Sequence, residues 1–134
     1  MTLNIRVIAP DRTVWDANAE EVILPSSTGQ LGILTGHIPL LTALDIGVMK
    51  VRINKEWIPI VLLGGFAEVD NNKITILVNG AEEASDINAE MAQKGLEEAS
   101  ALFAEATSSK AKIEATQNIR KARARLQALA VTTS

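Results

Sequence analysis

Residues 79–88 read NGAEEASDIN and separate two halves of the chain that follow different periodicities. Upstream, apolar residues recur at every second position and β-branched side chains dominate; downstream, alanine, glutamate and lysine prevail and apolar residues recur at steps of three and four. A period of two matches a pleated strand, whose side chains alternate between faces, and a period near 3.6 matches a helix. The stretch itself holds Gly80, Ser85, Asp86 and Asn88. These residues favour turns and helix starts, because short polar side chains accept hydrogen bonds from otherwise unpaired backbone N–H groups. The expected fold is therefore α+β, a β domain joined to a helical arm.

Working outward, the 134-residue chain suits one small domain with an appendage. Apolar residues make up 47%, yet there are only 2 Trp, 2 Phe and no Tyr, so the core is expected to be aliphatic. With 0 Cys, disulfides and thiolate metal sites are excluded. No apolar run approaches the roughly 20 residues of a spanning helix, so direct membrane insertion is not expected. The opening MTLNIRVIAP starts in a strand pattern, and no leader peptide is expected there. The overall net charge of −3 is uninformative, but its distribution is not. Residues 81–106 carry Glu82, Glu83, Asp86, Glu90, Glu97, Glu98 and Glu105 against Lys94 alone, whereas residues 110–125 carry Lys110, Lys112, Arg120, Lys121, Arg123 and Arg125 against Glu114 alone. Opposite charge on consecutive helices would help an antiparallel hairpin close, although exposed pairs are individually weak.

In the β half, Leu3, Ile5 and Val7 alternate with Asn4 and Arg6, predicting a first strand that Pro10 and Asp11 end. Short strands are expected at Thr13–Trp15 and Glu21–Leu24, and a loop at Pro25–Thr28. Val48–Asn54 and Trp57–Leu63 form the next pair, joined by a turn at Asn54, Lys55 and Glu56, the second strand apolar on both faces and so central or covered. Gly64 and Gly65 mark a bend or a close backbone approach. Ala67–Val69 and Lys73–Val78 flank Asp70, Asn71 and Asn72, a hairpin turn by its tolerance of positive φ. Many short strands at close spacing predict a sandwich or barrel. Gly29–Gly47 is expected to be a tight, exposed turn between strands. It is not a phosphate loop, because no Gly-Lys-Ser/Thr follows.

In the helical half, Ala92, Leu96, Ala99, Phe103 and Ala106 step by four and three, and Ala115, Ile119, Ala122, Leu126 and Leu129 repeat those steps. Such seams predict an antiparallel hairpin with its turn at Thr107–Ser109. Only two or three residues per seam are large, and helices of this length need packing to persist, so the arm is expected to open readily. His37 has no neighbouring nucleophile or orienting acid that would make it a general base, and a role in shaping its Gly-His-x-Pro turn is expected instead. No catalytic residue, metal site or cofactor is expected. Nucleic acid is not expected as a partner either, because the chain is acidic and lacks an aromatic stacking surface.

GQLGILTGHIPLLTALDIGVMKVR, then LLGGFAEVDNNKITIL, then the Ala-rich charged hairpin, together resemble the epsilon subunit of F-type ATP synthase, and RVIAPDRTVWDANAEEVILPS is most similar to its cyanobacterial and plastid branch. The resemblance implies a flattened N-terminal β-sandwich, residues 1–84, followed by a regulatory two-helix hairpin, residues 85–134. It implies a non-catalytic rotor subunit that couples the gamma subunit to the c-ring and inhibits ATP hydrolysis through movable helices. Gln30, Leu31, Gly32 and His37 would face the c-ring and gamma subunit, with Gln30 at a position acidic in some relatives. Arg120, Lys121, Arg123 and Arg125 would meet the beta subunit of the alpha/beta catalytic head when the arm extends. The implied location is peripheral, on the stromal or cytoplasmic face of a thylakoid or bacterial inner membrane. Some relatives bind ATP through Ile/Leu-Asp-x-x-Arg-Ala, helped by basic residues of the second helix; here Lys121 and Arg125 fall at those second-helix positions, but Asn88 replaces the acid and Met91 the arginine, so nucleotide binding is not expected. Two other readings stand beside this one: a free-standing binding module with an oligomerising helical tail, and a small enzyme built around His37.

Overall fold

The computed structural model describes residues 2–133. The strands are β1 (Leu3–Ala9), β2 (Arg12–Ala19), β3 (Glu21–Ser26), β4 (Gly29–Leu34), β5 (Leu40–Ile53), β6 (Glu56–Asp70), β7 (Lys73–Val78) and β8 (Ala81–Glu83). A 3-10 turn at Ala84–Asp86 leads into α1 (Ala89–Glu105) and α2 (Ser109–Thr133). The sheet order is β2-β1-β7-β6-β5-β3-β4, with β8 also paired to β6. Every pairing is antiparallel except β1 with β7.

One sheet makes a two-layered sandwich because β5 and β6, 14 and 15 residues long, run through both layers. Their inward residues change parity on the way. In β5 the core takes Leu44, then Met49 and Val51; in β6 it takes Ile60 and Leu62, then Ala67 and Val69. The switch falls where Leu44 faces Gly65 and Ile46 faces Leu63. Gly65 makes it possible: its φ is +151°, and a Cβ there would lie 2.0 Å from the Leu77 carbonyl oxygen. Leu3, Ile5, Val22, Leu24, Ile33, Met49, Ile60, Leu62, Ile74 and Ile76 fill the interior, an aliphatic core as the composition requires.

Both expected hairpin turns form. Asn54 and Lys55, and likewise Asn71 and Asn72, take positive φ, the left-handed pairs that match the twist of the flanking strands. Three expectations are corrected. Gly29–Gly47 is not one turn: residues 29–34 are β4, β5 begins at Leu40, and only 35–39 connect them. Pro25 and Ser26 belong to β3 rather than to a loop. A proline fits there because the β3–β5 register breaks between Ile23 and Ser26, and because Gly47 leaves room, a Cβ on it falling 2.7 Å from Pro25 Cβ. The second strand spans Arg12–Ala19, well beyond Thr13–Trp15.

The joint is more sheet than linker, since Ala81, Glu82 and Glu83 pair with Leu62, Val61 and Ile60. Asn88 then caps α1, its side chain accepting from the Met91 N–H at 3.0 Å. Ser108 does the same for α2, accepting from Ala111 N–H at 3.1 Å.

Candidate functional surfaces

Two surfaces follow from this frame. The first is β4 and the turn after it. β4 lies at the sheet edge and pairs only with β3. Gln30 and Gly32 are exposed on it, while Leu31 is half-buried and packs on the core. His37 lies past the far end of the strand, so these four residues are strung along an edge and not gathered on one loop. At 3.3 Å per residue the strand separates Gln30 from Leu34 by about 13 Å. His37 shapes its turn as expected. Its N–H donates to Leu34 O at 3.3 Å, and its Nδ1 donates to Ile38 O at 2.7 Å, a contact that puts the ring proton on Nδ1. Gly36 N–H donates to Asn72 Oδ1 at 2.7 Å and ties this turn to the β6–β7 hairpin. Beside it, the register aligns Ala43, Phe66, Leu77 and Ile8 across the outer face of the sheet. Phe66 is 57% exposed and Leu77 53%, an apolar row uncovered by any described part of the chain.

The second surface is the arm. Ala92 and Ala99 of α1 and Ala115 and Ala122 of α2 are buried, with Leu96, Ile119, Leu126 and Leu129 half-buried among them, so the expected seams meet. The seam loosens toward the hairpin tip, where Leu102, Phe103 and Ile113 are exposed. α2 also has a second buried side that the seam pattern does not register. Ala124 and Ala128 pack on Val48 and Val61, with Ile46, Leu63 and Ile87 around them. This contact explains why Trp57–Leu63 is apolar on both faces: Ile60 and Leu62 point into the sandwich, and Val61 and Leu63 under α2.

The four basic residues of α2 separate here. Arg123 is exposed. Arg120 and Lys121 line a groove of about 380 Å³ between α2 and the sheet bend, shared with Asp45, Asn79 and Gln117. Arg125 is half-buried and bound to Glu82 of β8 as a two-pronged fork, Nε donating at 2.8 Å and a terminal nitrogen at 2.7 Å. The hydrogen bonds from Arg125 to Glu82, reinforced by the carboxylate charge, hold the guanidinium pKa above its ordinary value against the opposing effect of burial. The basic cluster thus leans on the joint. Among the described residues, no ion pair links it to the acidic α1. Glu82 was visible in the sequence only as one acid among several.

The matched nucleotide positions are otherwise engaged or misplaced. Asn88 is spent on its cap, Met91 is 73% exposed, and Arg125 already has its carboxylate. No group of three or more metal-ligating side chains lies together among the described residues, and no described helix is long and apolar enough to cross a membrane.

Residues 2–84 match the family described as ATP synthase, Delta/Epsilon chain, beta-sandwich domain. Over the whole chain the sequence is similar to the chloroplastic ATP synthase epsilon chain of Pyropia yezoensis, 73% identical over 134 residues and covering 100% of both chains. It is similar to the ATP synthase epsilon chain of Thermosynechococcus vestitus at 62% over 131 residues, covering 96% of this chain and 95% of that one. In fold it matches a chain of the Euglena gracilis mitochondrial ATP synthase, solved as an OSCP/F1/c-ring assembly, with a TM-score of 0.83 at 20% identity, covering 99% of this chain and 82% of that one.

Proposed function

The chain belongs to the ATP synthase epsilon chain family, and from that premise we propose that it is a rotor subunit with two working parts: a sandwich, residues 1–84, that couples the gamma subunit to the c-ring, and a helical arm, residues 85–134, that regulates ATP hydrolysis. It is a non-catalytic subunit of the central stalk. The sandwich offers two contact surfaces. The apolar row Ile8, Phe66 and Leu77 suits a permanent protein neighbour, because exposed apolar patches of this kind mark interaction sites. The edge strand with Gln30, Leu31 and Gly32, together with the His37 turn, supplies the polar contact toward the c-ring and gamma subunit. On this reading the protein sits peripherally on the stromal or cytoplasmic face of its membrane.

One observation carries the regulatory half: among the described residues, α2 meets the sheet through two small buried alanines against Val48, Val61 and their apolar neighbours, with a two-pronged ion pair beside them, a contact slight enough to open. Docked, the arm leaves hydrolysis free; extended, it brings Arg120, Lys121, Arg123 and Arg125 to the beta subunit of the alpha/beta head and blocks it. Two states exchange usefully only when they differ by a few kcal/mol. Adding the chain to an ATP synthase head that lacks it is expected to inhibit hydrolysis. Lys121→Glu with Arg123→Glu is expected to weaken that inhibition while assembly with gamma persists. Full inhibition by the reversed protein would exclude the basic cluster as the contact.

ATP is not the arm's switch on this reading, since a thioether at Met91 supplies neither the charge nor the paired donors of a guanidinium. Losing a charged hydrogen bond costs roughly 1.5–3 kcal/mol. Calorimetric titration of ATP into the full chain checks this, with binding well below cellular ATP as the contrary result.

A further inference from the structure

The 3-10 turn Ala84–Asp86 has no side-chain cap at its start and holds no buried residue. It is the least anchored stretch between sheet and helices. Glu82 comes before it, fixed in the sheet opposite Val61. Arg125 comes after it, on the second helix. The Glu82–Arg125 fork therefore bridges the turn: if α1 and α2 swing away about residues 84–86, Glu82 stays and Arg125 leaves. Beside the fork, Ala124 and Ala128 meet Val48 and Val61, with Ile46, Leu63 and Ile87 half-buried around them. Each methyl adds only about 0.8 kcal/mol. A bidentate charged fork is directional as well as stronger than a neutral bond, and removing one partner while the arm stays docked leaves the other charge half-buried and unpaired.

We propose that Glu82 and Arg125 form an electrostatic latch across the 84–86 hinge, and that opening this pair is the step that frees the arm from the sandwich. The proposal rests on the reading of the arm as the moving part, but it is tested without the catalytic head. Because the chain contains no cysteine, Glu56→Cys on β6 and Gln127→Cys on α2, both exposed, give two unique spin-label sites. Pulsed dipolar measurement on the otherwise native full chain should show one short, narrow distance. Arg125→Gln should raise the ratio of long to short distances roughly five- to tenfold. Glu82→Gln should do the same, and Arg125→Lys should fall between, since a lysine cannot form the fork. The exchanged pair, Glu82→Arg with Arg125→Glu, should recover most of the short distance.

Native distances in both Arg125→Gln and Glu82→Gln would overturn the latch, as would an exchanged pair no better than the sum of its single changes. Should Arg125→Gln lose helix by far-UV circular dichroism, Glu82→Gln decides alone, because it leaves α2 unaltered. A failure of inhibition in the hydrolysis assay with these distance shifts intact would count against the regulatory reading and leave the latch standing.

Discussion

The two faces of β6 show two kinds of packing within a few residues of each other. Ile60 and Leu62 point into a core of fully buried leucine, isoleucine, valine and methionine from both layers of the sheet. Val61, between them, points out beneath the alanines of α2. One face gathers large side chains from across the sandwich, so its contacts support one another. The other meets alanine methyls from a single helix, with the Arg125–Glu82 ion pair beside it. The same strand thus belongs at once to a closely interlocked core and to a thinner contact with one helix.

The largest expected effect comes from the inner face. Ile60→Ala or Leu62→Ala should cost about 2–5 kcal/mol, the range for large-to-small changes in a close-packed core. Urea unfolding followed by Trp15 and Trp57 fluorescence measures it, and a loss near zero would break the contrast. An intermediate effect is expected on the outer face. Ala128→Leu forces extra volume into a fully buried site and should cost about 1–3 kcal/mol of helix docking. Hydrogen exchange should rise under α2 while the sandwich midpoint stays put. A fall in that midpoint as large as the one from Leu62→Ala would show that sheet and arm unfold as one unit.

The smallest effect concerns pH. Arg125 is raised on folding by Glu82, so its contribution is complete below its unfolded pKa and fades only as pH climbs through the higher folded value. Both lie far above the neutral range for an arginine, so Arg125 should cause no change in docking between about pH 6 and pH 9. Distances that drift across that window would assign the latch's pH response to another group.

Much of this was legible because it is local. Asn54 and the pair Asn71–Asn72 announce left-handed turns through their own side chains, and the change of period at 79–88 announces the change from strand to helix. Even the doubly apolar Trp57–Leu63 stated that something must cover it. The loop expected at Gly29–Gly47 failed for an instructive reason: four glycines outweighed a strand pattern whose partners, Pro25 and Leu24, hold it from outside the segment.

By itself, then, the sequence determined where the chain turns, which half is sheet and which helix, and that the core is aliphatic, because backbone preferences and side-chain periods act over a few residues. The tertiary structure alone decided three other things: where β5 and β6 exchange their inward faces, which side of α2 meets the sheet, and that Arg125 pairs with Glu82 rather than with the acids of α1. Parity can switch only where another strand, here Leu77 against Gly65, imposes the bend. An alanine carries no preference for one face over another until a neighbour such as Val61 arrives. A charge 43 residues away becomes a partner only when packing brings the two within 3 Å.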